Sequence, residues 1–160
     1  MEYVARLLKD KKFLDSLKEL EEREADREYC RHDFAHFMDV ARLGWLYALE
    51  EGIALDKEQL YLMALLHDIG RIEEYEHGIS HAEAGKKLAG EILLHIEYPK
   101  EKISEILSAI GEHRDSSGNG EALPEILKRA DKESRPCFYC KANAACKWSI
   151  EKRNTPEGWQ

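Results

Sequence analysis

The stretch ALLHDIGR at residues 64–71 combines the end of an apolar helix with a histidine–aspartate doublet. Upstream of the doublet, Leu60 and Met63 recur at spacings of three or four residues and place one apolar face on this helix. His67 continues that face, and Asp68 follows directly. The stretch therefore predicts a helix whose core-facing side leads to two polar side chains.

The same helical periodicity extends along most of the chain, and nothing shows the strict alternation of a half-buried strand. Capping boxes at Asp56 with Gln59 and at Ser80 with Glu83 predict the starts of the third and fourth helices. The pattern predicts an all-α, single-domain bundle of about six helices. Their apolar faces lie within residues 4–20, 37–47, 60–66, 84–92, 103–110 and 126–130.

Composition restricts the class of protein. A chain of 160 residues that is 43% hydrophobic can bury the core of one domain. No apolar run approaches the ~20 residues that cross a bilayer, and the N-terminal stretch lacks the apolar segment of a secretory signal. We therefore expect a cytoplasmic protein with no membrane partner. The net charge of −8 opposes stable nucleic-acid binding, although a bound dication can still attract a small anionic substrate.

Five helices carry a histidine or an aspartate on the apolar face near one end. A single such histidine is usually a hydrogen-bonded core residue, but burying several of these groups together costs several kcal/mol unless something compensates. One shared dication compensates all of them, and helical bundles build metal sites from facing helices. We expect such a site in the core, holding Fe, Mn, Zn, Ni or Co. The residues concerned are His36, His67, Asp68, His81, His113 and Asp131.

The segments that carry these side chains together resemble the HD superfamily of metal-dependent phosphohydrolases. They are HFMDVA at 36–41, ALLHDIGR at 64–71, HAEAG at 81–85, IGEH at 110–113 and ADKESR at 130–135. The resemblance covers roughly residues 30–135. We expect an HD-type helical metal-binding domain over residues 1–135, with a cysteine-rich tail over residues 136–160 packed on the same domain.

The resemblance also implies a ligand set. One ion would be held by His36, His67, Asp68 and Asp131. Members with two further histidines are similar to this chain at His81 and His113, which would hold a second ion with Asp68 bridging the two. The number of ions stays open, because these two histidines could equally contact the substrate around a single ion.

His36 is the preferred first ligand because, as in the family, it stands four residues before a small hydrophobic pair that begins at Val40. His32 lies one turn earlier, where it would support the ligands from outside, and Asp33 would cap the helix.

The implied reaction is attack on phosphorus by a water that a metal ion has activated, with Asp68 orienting it. Arg71 comes just after the doublet, and Lys132 comes just after Asp131. These two cations could neutralise the substrate phosphate or be ordinary solvated charges. We expect a small phosphorylated substrate, most simply a nucleotide. The stretches 74–80 and 114–122 read as loops that would set specificity.

The four cysteines are the second unusual feature. Cys137, Cys140 and Cys146 lie close together in the tail with a chelating CxxC spacing, and Cys30 is the natural fourth ligand. They predict a possible structural zinc site separate from the catalytic ions. An iron–sulfur cluster, a redox pair and unligated thiols remain open.

Two other functions remain open at this point. An HD-like site that holds two iron ions could activate O₂ as an oxygenase. A non-catalytic module could instead bind a nucleotide or a metal and pass that signal to a partner. The oligomeric state also stays open, because an amphipathic first helix could serve a dimer or complete the monomer core.

Overall fold

The computed structural model describes residues 1–112 and 121–156, and these contain helices and turns but no β-strand. The expected all-α fold class is confirmed. None of the described helices is long and apolar enough to cross a membrane. The α-helices are α1 Glu2–Leu7, α2 Lys11–Arg23, α3 Phe34–Glu50, α4 Lys57–Leu66, α5 Arg71–His77, α6 His81–His95, α7 Lys100–Glu112 and α8 Ala122–Glu133.

Helix α4 lies at the centre of the fold. It packs against α3, α7, α8 and α1, while α6 packs against α5 and α7. Seven of its ten residues are buried, so apolar side chains surround it on nearly every side. Because the chain leaves α4 directly into His67 and Asp68, both doublet side chains emerge inside the core, where each is 0% exposed.

The described residues form eight α-helices, more than the six expected, and the first difference is at Asp10. Periodicity predicts one helix through residues 4–20, whereas the structure has two. The Asp10 carboxylate accepts a hydrogen bond from the backbone N–H of Phe13 at 2.9 Å and caps the start of α2. A cap of this kind satisfies an N–H that has no partner within the helix, so a new helix starts there.

The second difference is α5, where the loop prediction for residues 74–80 is wrong in its first half. The first turn of α5 buries Arg71 and Ile72, and Gly78 ends the helix in a left-handed conformation with φ 67°. The predicted cap at Asp56 is present, since its carboxylate accepts from two backbone N–H groups. The prediction of a capping box at Ser80 is wrong, because the Ser80 side chain makes no capping hydrogen bond.

A close backbone approach places α6 against the doublet. A Cβ atom added to Gly70 would lie 2.3 Å from the backbone nitrogen of Gly85 and 2.3 Å from the carbonyl oxygen of His81. Only a residue without a Cβ fits there, because backbone atoms cannot move aside as a flexible side chain can. This contact holds the first residue of α6, His81, near Asp68.

Candidate metal centre

The C-terminal ends of α4 and α8 meet the first turn of α3 in the interior and bring four potential ligands together. One ligand atom from each side chain lies within 4.8 Å of the others. The Nε2 atom of His36 is 3.1 Å from Oδ1 of Asp131, and Nε2 of His67 is 3.3 Å from Oδ2 of Asp68. These are the four residues that the sequence indicates for the first ion.

Local capping orients the first of these ligands. The Asp33 carboxylate accepts from the backbone N–H of His36 at 2.8 Å and begins α3, as the sequence predicts. His36 therefore sits in a fixed first turn. Of the two histidine–aspartate pairs in the chain, the pair at 32–33 uses its aspartate to cap a helix, and the pair at 67–68 directs its aspartate into the core.

Hydrogen bonds to Nδ1 fix the tautomers of both histidine ligands. The Nδ1 atom of His67 is 2.7 Å from the carbonyl oxygen of Ala64, which can only accept, so this nitrogen carries the hydrogen. Ser134 donates its hydroxyl to the carbonyl of Asp131, and its oxygen lies 3.3 Å from Nδ1 of His36 as an acceptor. Both rings therefore direct Nε2 toward the carboxylates, as a ligating imidazole requires.

The charges in the site favour a dication. Burial opposes ionisation of Asp68 and Asp131, but adjacent imidazole and guanidinium groups hold the pKa of each carboxyl well below its ordinary value. Burial also opposes the imidazolium of His67, yet the two carboxylates raise its pKa to about 9. Without an ion, His67 therefore carries a second proton at Nε2, which a dication would displace on binding. Two ionised carboxylates and two oriented imidazoles then match the donor set of a transition-metal ion.

His32 lies closer to the centre than the sequence indicates. It is buried, with Nε2 3.6 Å from Oδ2 of Asp68 and Nδ1 2.7 Å from Oε1 of Glu24. The other oxygen of Glu24 accepts from the backbone N–H of His32 at 2.7 Å. Burial lowers the pKa of His32 to about 4, which keeps the ring neutral. Its Nε2 atom, which faces Asp68, is then unprotonated and could bind a metal ion.

Glu24 is a functional candidate that sequence reasoning misses. It stands in the charged run at residues 21–28, which reads as a solvated helix face. Only the fold turns this carboxylate inward, where bonds from His32 and Tyr75 offset its burial and lower its pKa to about 2. No spacing within the run separates this glutamate from its exposed neighbours.

The second predicted ligand pair is only partly described. His81 lies near the other oxygen of the doublet aspartate, with Nε2 3.9 Å from Oδ1 of Asp68 and Nδ1 3.1 Å from Glu74. His113, with residues 114–120 of the predicted loop, lies outside the described residues. The two oxygens of Asp68 thus face different histidines, a geometry that suits a bridging carboxylate.

The predicted catalytic cations occupy two different environments. Arg71 is buried, and its Nε atom lies 2.9 Å from Oδ1 of Asp68, so it acts on the carboxylate directly. Lys132 is exposed at the mouth of the site. Arg135 was not predicted, although its spacing of four residues from Asp131 on a helix end is a usable sign. Its guanidinium donates to Asp131 at 2.9 Å and lies 3.2 Å from Nε2 of His36.

Residues 33–135 match the family model described as HD domain. The chain is 39% identical over 148 residues to an uncharacterized protein of Clostridium beijerinckii. This match spans 92% of this chain and 93% of that protein. It is 31% identical over 102 residues to Ribonuclease Y of Lawsonia intracellularis, but the match spans 64% of this chain and 18% of that enzyme. A crystal structure described as a predicted HD superfamily hydrolase, from an uncultured Thermotogales bacterium, superposes with a TM-score of 0.65 at 25% identity. It covers 88% of this chain and 79% of that one.

Replacing His67 by alanine should abolish tight Mn²⁺ binding at the centre. Manganese tests this site selectively because it prefers nitrogen and oxygen donors to thiolates. We expect at least about one equivalent per chain for the wild type and less than about a tenth for His67→Ala, measured by equilibrium dialysis. His77→Ala removes an exposed histidine and should bind like the wild type. Equal Mn²⁺ binding in the two variants would contradict the site.

Replacing Glu24 by glutamine should weaken Mn²⁺ binding without removing a ligand. The amide cannot hold both His32 nitrogen donors as the carboxylate does, so the ring loses its fixed orientation toward Asp68. We expect the dissociation constant to rise about 10- to 100-fold, the usual effect of losing a supporting hydrogen bond at a metal site. Glu28→Gln, an exposed change in the same segment, is the matched control. An unchanged affinity would mean that the contact between Glu24 and His32 serves only folding.

Proposed function

The chain belongs to the HD-domain family, and from this premise we propose that it is a metal-dependent phosphohydrolase that acts on a small phosphorylated metabolite, a nucleotide. The observation that carries the proposal is a cationic pocket beside the candidate metal centre. Asp131, His32 and Arg71 line this pocket and connect it with the centre.

The pocket concentrates positive charge in a chain whose net charge is −8. It has a volume of about 620 Å³, and Asp131 is the one carboxylate among the described residues that line it. Such a field attracts a substrate with several negative charges and favours its encounter with the site. The lining cations are Arg27, Arg71, Lys128, Lys132, Arg135, Lys147 and Lys152.

Aromatic side chains on the pocket wall support a nucleotide over a simple polyanion. Tyr29 and Trp148 both line it. Rings of this kind stack against nucleobases, and each such contact is worth about 1–3 kcal/mol. The tail contributes Trp148 together with Lys147 and Lys152, so the cysteine-rich segment forms part of the pocket that would receive the substrate.

The proposed reaction gives separate tasks to the residues of the chain. His36, His67, Asp68 and Asp131 would hold the ion. When bound, such an ion lowers the pKa of water and polarises a phosphoryl oxygen. Arg71 and Arg135 keep Asp68 and Asp131 ionised and oriented through contacts of 2.9 Å each. Lys132 stands where it can bind the phosphate and neutralise charge that develops on its oxygens.

Phosphate release from a panel of nucleoside mono-, di- and triphosphates, with Mn²⁺, Fe²⁺ or Ni²⁺, tests the activity. Asp68→Asn should lower kcat/KM by on the order of a thousand-fold, because a neutral amide cannot serve as the central carboxylate. Asp26→Asn, an exposed change, should have no effect. Oxygen consumption without phosphate release would point to the oxygenase, and tight nucleotide binding without turnover to the regulatory module. Either result, or a preference for RNA oligomers, would contradict the proposal.

Lys147→Ala should raise KM for the preferred nucleotide by up to about fivefold with little change in kcat, since it removes one partly screened charge from the pocket wall. Lys141 belongs to the same tail but does not line the pocket, so Lys141→Ala is the control. The difference between the variants should shrink as salt concentration rises. Identical KM values at low salt would remove the tail from the substrate site.

A further inference from the structure

We propose that Cys30, Cys137, Cys140 and Cys146 bind an iron–sulfur cluster, a second metal centre next to the histidine–aspartate centre. The inference does not depend on the proposed hydrolase activity. It starts from the fact that all four cysteines of the chain line one cavity of about 360 Å³. All four are free thiols, and Cys30 reaches the cavity from a segment distant in sequence from the other three.

Hydrogen bonds hold the tail, and the one buried residue of its three short helical turns is Cys137. Backbone N–H groups of Cys140 and Cys146 donate to Cys137 and Asn143 at 3.2 Å each, which forms two short turns. The Asn143 amide donates to the carbonyl of Cys137 at 2.6 Å. Arg153 donates to the carbonyl of Cys146 at 2.9 Å. A segment of irregular turns with this many cysteines is typical of a loop folded on a metal centre.

Direct contacts bring the fourth thiol to the other three. The hydroxyl of Tyr29, the residue before Cys30, donates to the carbonyl of Ala145, the residue before Cys146, at 3.1 Å. The Asn154 side chain donates to the carbonyls of Lys132 and Arg135 at 2.8 and 2.7 Å and joins the end of the tail to the end of α8. Two ends of the helical body thus hold the tail over the cavity.

The spacing of the sulfurs favours a cluster over a single zinc ion. A tetrahedral zinc with bonds of ~2.3 Å holds its thiolates only ~3.8 Å apart. All four cysteines are among the described residues, and no three of their sulfurs lie within 4.8 Å of one another. A cubane cluster is larger than one ion and takes a thiolate at each of its four iron atoms. Four sulfurs set around a cavity suit that larger group.

The cavity also supplies compensation for charge. Four thiolates around a cluster carry net negative charge. Three arginines and two aspartates are among the described residues that line the same cavity, so its cations outnumber its carboxylates; they are Arg31, Arg135, Arg153, Asp33 and Asp39. Arg135 also contacts Asp131, and His36 lines the cavity from the other side. The cluster would therefore fix Arg135 and the pocket-lining part of the tail relative to the first metal centre. Its role here is structural and involves no electron transfer.

Inorganic sulfide provides the decisive test, because iron bound at the histidine–aspartate centre brings no sulfide with it. Full-length protein purified in the absence of air should contain about four iron and about four inorganic sulfide per chain. The His67→Ala variant should lose metal from the first centre and keep the sulfide. Cys140→Ser should lose it, whereas Lys141→Ala, a change at the adjacent residue, should keep it. Circular dichroism would show that each variant retains its helices.

About one zinc per chain without sulfide would overturn the cluster. Less than about a tenth of an equivalent of sulfide after anaerobic reconstitution of the wild type with iron and sulfide would overturn it too. This second measurement uses unaltered protein, so it decides the matter even if Cys140→Ser fails to fold. If the wild type releases phosphate but contains no sulfide after this reconstitution, the hydrolase is supported and the cluster is contradicted. The two proposals therefore fail separately.

Discussion

The burial of the ionised Asp68 carboxylate is the constraint on which the rest of this structure depends. A fully buried carboxylate costs several kcal/mol unless charged or hydrogen-bonding groups surround it. Here the compensation comes from several elements: His67 at the end of α4, Arg71 in α5, and His32 before α3. Each element must therefore hold its position for the carboxylate to remain in the core, and the close contact between Gly70 and Gly85 serves the same arrangement from α6.

The surrounding hydrogen bonds convert this buried charge into a candidate metal site. Ala64, Ser134 and Glu24 each contact the Nδ1 atom of one histidine, so that three Nε2 atoms face the carboxylates. Rings held in this way need little reorganisation when they bind an ion. Their supporting partners are a backbone carbonyl, a hydroxyl and a carboxylate, which shows that no particular residue type is required for this role.

Net charge and local charge have opposite signs in this protein. The chain carries −8 overall, yet seven arginine and lysine side chains of its described part line the pocket beside the centre. Two of these cations, Lys147 and Lys152, belong to the tail, so an irregular segment completes a site that the helices begin. The same tail carries three of the four thiols, and its position links the proposed substrate pocket with the proposed cluster.

The sequence by itself determined the fold class and indicated a set of inward-facing polar side chains, and the resemblance to the HD superfamily singled out the four of them that meet at the centre. The fold class and the inward-facing set follow from helical periodicity, because a polar residue that continues an apolar stripe must face the core whatever lies opposite. The number of helices was harder to predict from the sequence. Asp10 caps the start of α2 and so divides one periodic stretch into two helices. The roles of Glu24, His32 and Arg135, the cationic pocket and the convergence of Cys30 with the tail were decided only by the tertiary structure. Each depends on which element lies across from a residue, and spacing within one helix carries no information about contacts between segments distant in sequence.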